Sequence, residues 1–179
     1  PSSWNYGAGL SRQREEYHRS EDKVFDPYPR RIFVDHVLGP KATLESFRAM
    51  DYAELGDFVS GAYQLEELDR ENRELELSRE AAVDGSTLRI TKLYRFKKSG
   101  VQLRYTLENK GEAPLQICFG SEVNLSFASG IAKALRISAE GSDQGKEVSP
   151  EGATLADTGG VELRDLVNNV LLRLRCDRP

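Results

Sequence analysis

An antiparallel all-β sandwich is the fold class this sequence predicts, and three observations carry the prediction. Apolar and polar residues alternate with a period of two over several segments between Leu88 and Leu174. Turn-forming pairs, among them Asp84-Gly85, Ser99-Gly100, Gly141-Ser142 and Gly159-Gly160, separate these segments. No long amphipathic helical stripe interrupts them. Period-two alternation suits a half-buried strand, because successive side chains point to opposite faces. Strands spaced about ten residues apart, without long helices, pack as two facing sheets.

In chain order, residues 1–25 read as a linker. Pro1, Ser2, Ser3, Gly7 and Gly9 are followed by a charged run, Arg12 to Arg19, with no apolar face to bury. Trp4, Tyr6 and Tyr17 lie in it, and are expected to dock on another domain or to offer a stacking platform. Ten of the fifteen aromatic residues fall within the first 63 positions, which places the aromatic packing in this part of the chain. Pro27 and Pro29 hold an extended approach. Arg31 to Leu38 suits a strand, stopped by Gly39-Pro40, and Thr43 to Met50 suits a short helix with Thr43 as its N-cap. Gln64 to Glu80 admits two readings. Leu65, Leu68 and Leu75 fit helical spacing, whereas Glu74 to Ser78 alternates like a strand.

Beyond Asp84-Gly85, Leu88, Ile90, Tyr94 and Phe96 alternate with Arg89, Thr91 and Arg95. Val101, Leu103, Tyr105 and Leu107 alternate with Gln102, Arg104, Thr106 and Glu108, and Ser99-Gly100 joins the two runs as a tight hairpin. A turn over Asn109 to Pro114 leads to a long alternating strand through Ile117, Phe119, Val123, Leu125 and Phe127. Shorter strands follow. The last, Val170 to Arg175, is expected to pair with Val161 to Leu163 across a turn near Asn168-Asn169. Residues 26–179 thus form one sandwich domain.

At 179 residues the chain is long enough for a substantial core. Its net charge of −4 disfavours a nucleic-acid partner, which requires a basic surface to displace counterions. No apolar run approaches the roughly 20 residues that span a bilayer, so no membrane partner is expected. The chain starts at Pro1 rather than Met and reads as a fragment or processed chain. Cys118 and Cys176 read as free thiols buried in strands. Together with His18 and His36 they show no metal-ligand spacing, and no cofactor is implied.

Among the polar residues, Glu122 and Asn124 stand out. Two positions apart on a strand, they share a face with Cys118 and Gly120, where a carboxylate and an amide can hold sugar hydroxyls or form a hydrogen-bonded layer under another segment. Arg104, Arg173 and Arg175 are expected on the same polar face, with Arg95 nearby, either solvated and ion-paired or at an interface. Asp35 and His36 are adjacent in a strand, so their side chains point apart and form no catalytic dyad. Arg30 and Arg31 next to Tyr28 suit a domain-interface anchor.

Five segments carry a family resemblance. They are Pro27-Tyr28-Pro29-Arg30-Arg31-Ile32-Phe33-Val34-Asp35-His36-Val37-Leu38; Tyr52 to Phe58 with Tyr63; Tyr105 to Leu115; Phe119 to Phe127 with Glu122 and Asn124; and Leu163 to Asp165 followed by Asn169 to Leu174. In this order they resemble the C-terminal β-sandwich domain of the α-amylase and 4-α-glucanotransferase type enzymes of glycoside hydrolase family 57, and more broadly the large sandwiches of the galactose-mutarotase type. The resemblance favours strands for Gln64 to Glu80, with a charged hairpin tip at Asp69 to Asn72. It implies that the catalytic Glu and Asp belong to a separate barrel, so no catalytic residue is assigned here. The parent enzyme would cleave or transfer α-1,4-glucan by a retaining double displacement. The family domain usually runs on with a further aromatic-rich strand, so by resemblance the sheet either lacks a closing strand or receives it from a second fragment.

The candidate carbohydrate-binding residues are therefore Glu122, Asn124 and Arg104. The candidate interface residues are Tyr28, Arg30, Arg31 and His36. The expected partners are the catalytic barrel and helical domain of the parent chain and an α-glucan oligosaccharide. Two alternatives stand beside this reading. One is an independent carbohydrate-binding module. The other is a mutarotase-like sugar epimerase, with Glu122 as base or acid but neither histidine evidently placed beside it.

Overall fold

The computed structural model describes residues 28, 31–126, 134–141, 146–147, 155 and 158–177. The chain divides into two compact units, Pro1–Asn124 and Leu125–Pro179. The expected linker, Arg30 and Phe127 lie outside the described residues.

The first unit opens with strand β1 (Ile32–Leu38) and the one-turn helix α1 (Leu44–Arg48). Four strands follow as a meander: β2 (Gln64–Asp69), β3 (Glu74–Val83), β4 (Ser86–Lys97) and β5 (Gly100–Asn109), hydrogen-bonded in that order. β6 (Cys118–Val123) then returns to pair antiparallel with β1 as a separate two-stranded layer. The layers meet at Val37, Phe58, Val83, Leu88 and Ile90, with Tyr63, Tyr105 and Phe119 packed around them. This is sheet-on-sheet packing.

The turns follow their local chemistry. Asp84 and Gly85 form the two-residue loop between β3 and β4, with φ values of 47° and 78°. Left-handed φ at both positions matches the right-handed twist of the flanking strands, and Asp-Gly adopts it readily. Between β4 and β5 the loop residues are Lys98 and Ser99. Gly100 already pairs with Lys97, one residue from the turn expected at Ser99-Gly100. The β2–β3 turn is closed by Asp69, whose carboxylate accepts from the backbone (2.9 Å) and side-chain (2.6 Å) nitrogens of Asn72.

The ambiguity over Gln64 to Glu80 resolves as two strands. A β-bulge between Leu65 and Glu67 inserts one residue, so that Leu65 opposes Leu77 and Leu68 opposes Leu75. Leu65 and Leu68 thereby face the same side despite a separation of three, which imitated a helical repeat. The strand expected from Ile117 to Phe127 is shorter. Among the described residues its partner is β1, whose register ends at the Ile32–Val123 pair, and without a partner the ladder does not continue.

Thr43 caps α1 as expected. Its Oγ1 accepts from Ser46 N (3.1 Å), while Ser46 Oγ accepts from Thr43 N (3.0 Å). We predict that Thr43→Ala costs about 0.5–2 kcal/mol locally. It should deprotect the Ser46 and Phe47 amides in hydrogen exchange, and unchanged protection would show that the cap contributes nothing.

In the second unit, β7 (Leu135–Ala139), β8 (Lys146–Glu147), β9 (Gly160–Asp165) and β10 (Val170–Arg175) form an antiparallel sheet in the order β10-β9-β7-β8. The expected final hairpin is present. Asp165 accepts from the Val167 (3.0 Å) and Asn168 (3.1 Å) amides to close it. Both cysteines are free but exposed, contrary to the buried placement expected. Cys118 starts β6 on the parity of Gly120 and Glu122, away from the apolar set, and Cys176 follows the end of β10.

Candidate functional site

Alternation along β1 sends Asp35 and His36 to opposite sides, and each organises a buried polar cluster. Each residue is only 1% exposed.

His36 sits opposite Gly120 in the β1–β6 ladder, and Glu122 lies two residues further along the same face of β6. The chain leaving α1 comes back against β1 through a Leu38–Glu54 bridge, with Leu55 N donating to Val37 O at 2.7 Å. This brings Glu54 to the other edge of the imidazole. His36 Nδ1 makes a short hydrogen bond to Glu54 Oε1, and Nε2 is 2.9 Å from Glu122 Oε2. Glu54 Oε2 also accepts from Val37 N (3.2 Å). Tyr28 Oη donates to Glu122 Oε2 (2.8 Å), and Asn124 Nδ2 donates to Glu122 Oε1 (2.7 Å) and to the Arg31 carbonyl (3.0 Å).

Aromatic rings enclose the imidazole. Phe47 meets it edge-on at 4.9 Å, Tyr28 at 5.5 Å and Tyr52 at 6.2 Å, and Phe47 and Tyr52 stack at 5.0 Å. Burial opposes charge on His36, but the hydrogen bonds and charges of Glu54 and Glu122 outweigh it and raise its pKa above 6.5. Burial likewise opposes charge on Glu122, yet hydrogen bonds from His36, Tyr28 and Asn124 hold its carboxyl below the ordinary value. Burial first, then bonds to Tyr52 and Glu122, push the Tyr28 phenol up, so it remains a donor. The result is an imidazole held between two carboxyl groups that favour its protonated form.

Asp35 faces the four-stranded sheet. Its Oδ2 accepts from Lys92 Nζ (2.6 Å) and Tyr63 Oη (2.5 Å), while Oδ1 is buried without a hydrogen-bond partner. Lys92 Nζ also donates to the Phe33 carbonyl (2.8 Å). Phe33 sits at the β1 bulge with φ of 60°, and its ring packs edge-on against Tyr94 at 6.1 Å. The ammonium lies 4.9 Å from the Tyr63 ring centroid and 5.4 Å from that of Tyr105. Burial pushes the Lys92 amine pKa down, against the opposing pull of Asp35. Burial pushes the Tyr94 phenol up to about 12.

Two sets of residues that the sequence suggested for different roles thus converge. Tyr28, the Arg31 carbonyl and His36, read as interface residues, join Glu122 and Asn124, read as sugar-binding residues, in one network. Contrary to the sequence expectation, a histidine does stand beside Glu122, because β6 skips the meander and pairs with β1. Arg104 is not brought into this cluster. Its neighbour Tyr105 points inward to Ser121 Oγ (2.7 Å), so Arg104 faces the exposed outer side of β5. Arg173 pairs with Glu162 (2.7 Å) and Arg175 with Glu140 (2.7 Å) within the second unit's sheet. Glu54, Phe47, Tyr52 and the Asp35–Lys92 pair escaped the sequence reading. Lys92 did leave a signal, since it interrupts the apolar set Leu88, Ile90, Tyr94 and Phe96 at an inward-facing parity.

Antiparallel sheets packed around buried polar clusters define a β-sandwich domain. The chain belongs to the family described as alpha-amylase/4-alpha-glucanotransferase, C-terminal, which matches residues 20–179. It is 32% identical over 130 residues to an α-amylase of Pyrococcus horikoshii, covering 68% of this chain and 20% of that protein. It is 32% identical over 117 residues to a 4-α-glucanotransferase of Thermococcus kodakarensis, covering 65% of this chain and 17% of that one. The crystal structure of 4-α-glucanotransferase from Thermococcus litoralis shares the fold with a TM-score of 0.63 at 24% identity, over 99% of this chain and 24% of that chain. This chain spans a fifth or less of the length of these two curated relatives.

Proposed function

We propose that this chain is a non-catalytic C-terminal domain of an α-glucan-processing glycoside hydrolase or transferase of family 57 type, packing on the catalytic barrel and helical region of its parent. The family match along residues 20–179, in proteins of which this chain spans so small a share, carries the reading. The site geometry supports it. A retaining glycosidase needs two carboxyl groups facing a sugar about 5 Å apart. Here the imidazole of His36 stands between Glu54 and Glu122 and binds both. In the longer enzyme, Glu54→Gln and Glu122→Gln should leave the rate per folded molecule within about tenfold of the parent. A fall of about 100-fold or more, as from a lost general acid or base, would overturn the proposal.

Direct contact with an α-glucan oligosaccharide, either within the parent enzyme or by an independent module, is a second reading. The stacked Phe47–Tyr52 pair favours it, because both rings pack on the imidazole that binds Glu54 and Glu122, whose side chains are 25% and 24% exposed. Titrating the labelled chain with maltoheptaose to millimolar concentration should then shift amides of β6 and α1. A folded chain without shifts would leave only the structural role. The epimerase alternative draws less support, since Tyr28, Phe47 and Tyr52 close off the imidazole that would work with Glu122.

A further inference from the structure

The two layers of the first unit differ in length. β4 has 12 residues and spans about 40 Å, whereas β1 has seven and β6 six, about 20 Å each. The β1–β6 layer covers the end of the meander that carries Val83, Leu88 and Ile90, and its reach ends where Phe33 meets Tyr94. The same inward-facing parity continues beside that row on the edge strand β2 and past it on β4 and β5. Leu68 opposes Leu75, Leu65 opposes Leu77 and Phe96 opposes Val101. Leu65 is 60% exposed, Leu68 52%, Val101 47% and Phe96 46%. Around these four, Leu75, Leu77, Tyr94 and Leu103 hold the neighbouring inward positions, and the charged residue in their rows, Lys92, is buried against Asp35. The opposite face of the same strands carries Glu67, Glu76, Arg95, Gln102 and Arg104. A sheet patterned with one apolar and one charged face is built to be covered along its whole apolar side. An apolar patch left open on this scale marks an interaction surface.

We propose that this exposed apolar patch, formed by Leu65 and Leu68 on the β2 edge and Phe96 and Val101 at the β4–β5 end, docks another part of the longer enzyme polypeptide, an apolar-faced layer that continues the β1–β6 layer. The proposal rests on the reading of this chain as one domain of a longer enzyme. The occupant follows from three facts. The surface shares the face on which this chain's own β1–β6 layer already packs. Ile32, at the end of β1 nearest Phe33, is itself 57% exposed and adds to the apolar surface there. The relatives are about five times longer than the portion matched here, so most of their chain is available to supply the cover.

The test is thiol accessibility. Val101→Cys on the open face and Thr106→Cys on the opposite face of β5 are each placed in a Cys118→Ser, Cys176→Ser background, which removes the two exposed native thiols. Each is reacted with a maleimide in this 179-residue chain and in the longer enzyme. Val101→Cys should react freely in the short chain and at least about tenfold more slowly in the longer enzyme, where reaction waits on local opening. Thr106→Cys should react alike in both. Equal Val101→Cys rates in the two contexts overturn the proposal. So does slowing in the short chain alone that tracks a concentration-dependent dimer in sedimentation, which would assign the face to a second copy. Glucan activity of the longer enzyme, measured in parallel, separates the two ideas. An active enzyme with an accessible Val101→Cys removes the docking face and leaves the proposed function. Absence of glucan activity removes the proposed function.

Discussion

Lys92→Ala is expected to lower the stability of the first unit by about 3–5 kcal/mol, the largest effect of any single change here. The substitution strands Asp35 at 1% exposure with one oxygen already unpartnered and the other left with Tyr63 alone. It also orphans the Phe33 carbonyl and removes the cation between the Tyr63 and Tyr105 rings. A buried charge without its partner is expensive, whereas removing both charges is not. The Asp35→Leu, Lys92→Met double variant should therefore recover most of the loss, with a coupling energy of about 1–3 kcal/mol. Denaturant-dependent hydrogen exchange at the β4 amides reports on this unit separately from the second. A loss under about 1 kcal/mol for Lys92→Ala would mean that the ammonium is solvated rather than paired.

His36→Ala is expected to cost about 3 kcal/mol, combining the cavity left among Phe47, Tyr28 and Tyr52 with two carboxylates that lose their shared donor. The carboxylates are about a quarter exposed, and partial rehydration keeps the figure below that for Lys92. The pH dependence is the sharper signature. The folded-state pKa of His36 is raised, so its contribution is fully present below about 6.5 and is lost as pH rises through the folded value. That of Glu122 is lowered, so its contribution is present above about 4.5 and is lost as pH falls through its folded value. Together they give a plateau of stability between these two pH values, falling off on either side. His36→Ala should abolish the alkaline fall. An alkaline limb that persists in the variant would assign it to another group.

Much of the sheet was legible in the sequence. The alternation through β4 and β5, the Asp84-Gly85 turn, the Thr43 cap and the final hairpin all rest on contacts a few residues apart, where spacing and turn chemistry dictate geometry. Where local rules failed, a non-local partner had decided the outcome. The Leu65 and Leu68 spacing mimicked a helix because a bulge against β3 restores their common face. The last strand of the first unit ended early because β1 ends there. Cys118 was expected inside, but the parity set by that same pairing turns it outward.

By itself, the sequence determined an all-β chain and its family, and it singled out Tyr28, His36, Glu122 and Asn124. Only the tertiary structure decided that these four belong together, that Glu54 completes them, and that Arg104 stands apart on the other face of its sheet. Periodicity specifies which face a side chain takes on its own strand, but not which strand lies opposite. The pairing of β1 with β6, separated by the whole meander, was chosen by burial of Val37 against Leu88 and Ile90. That choice brought a histidine and a glutamate 86 positions apart to 2.9 Å.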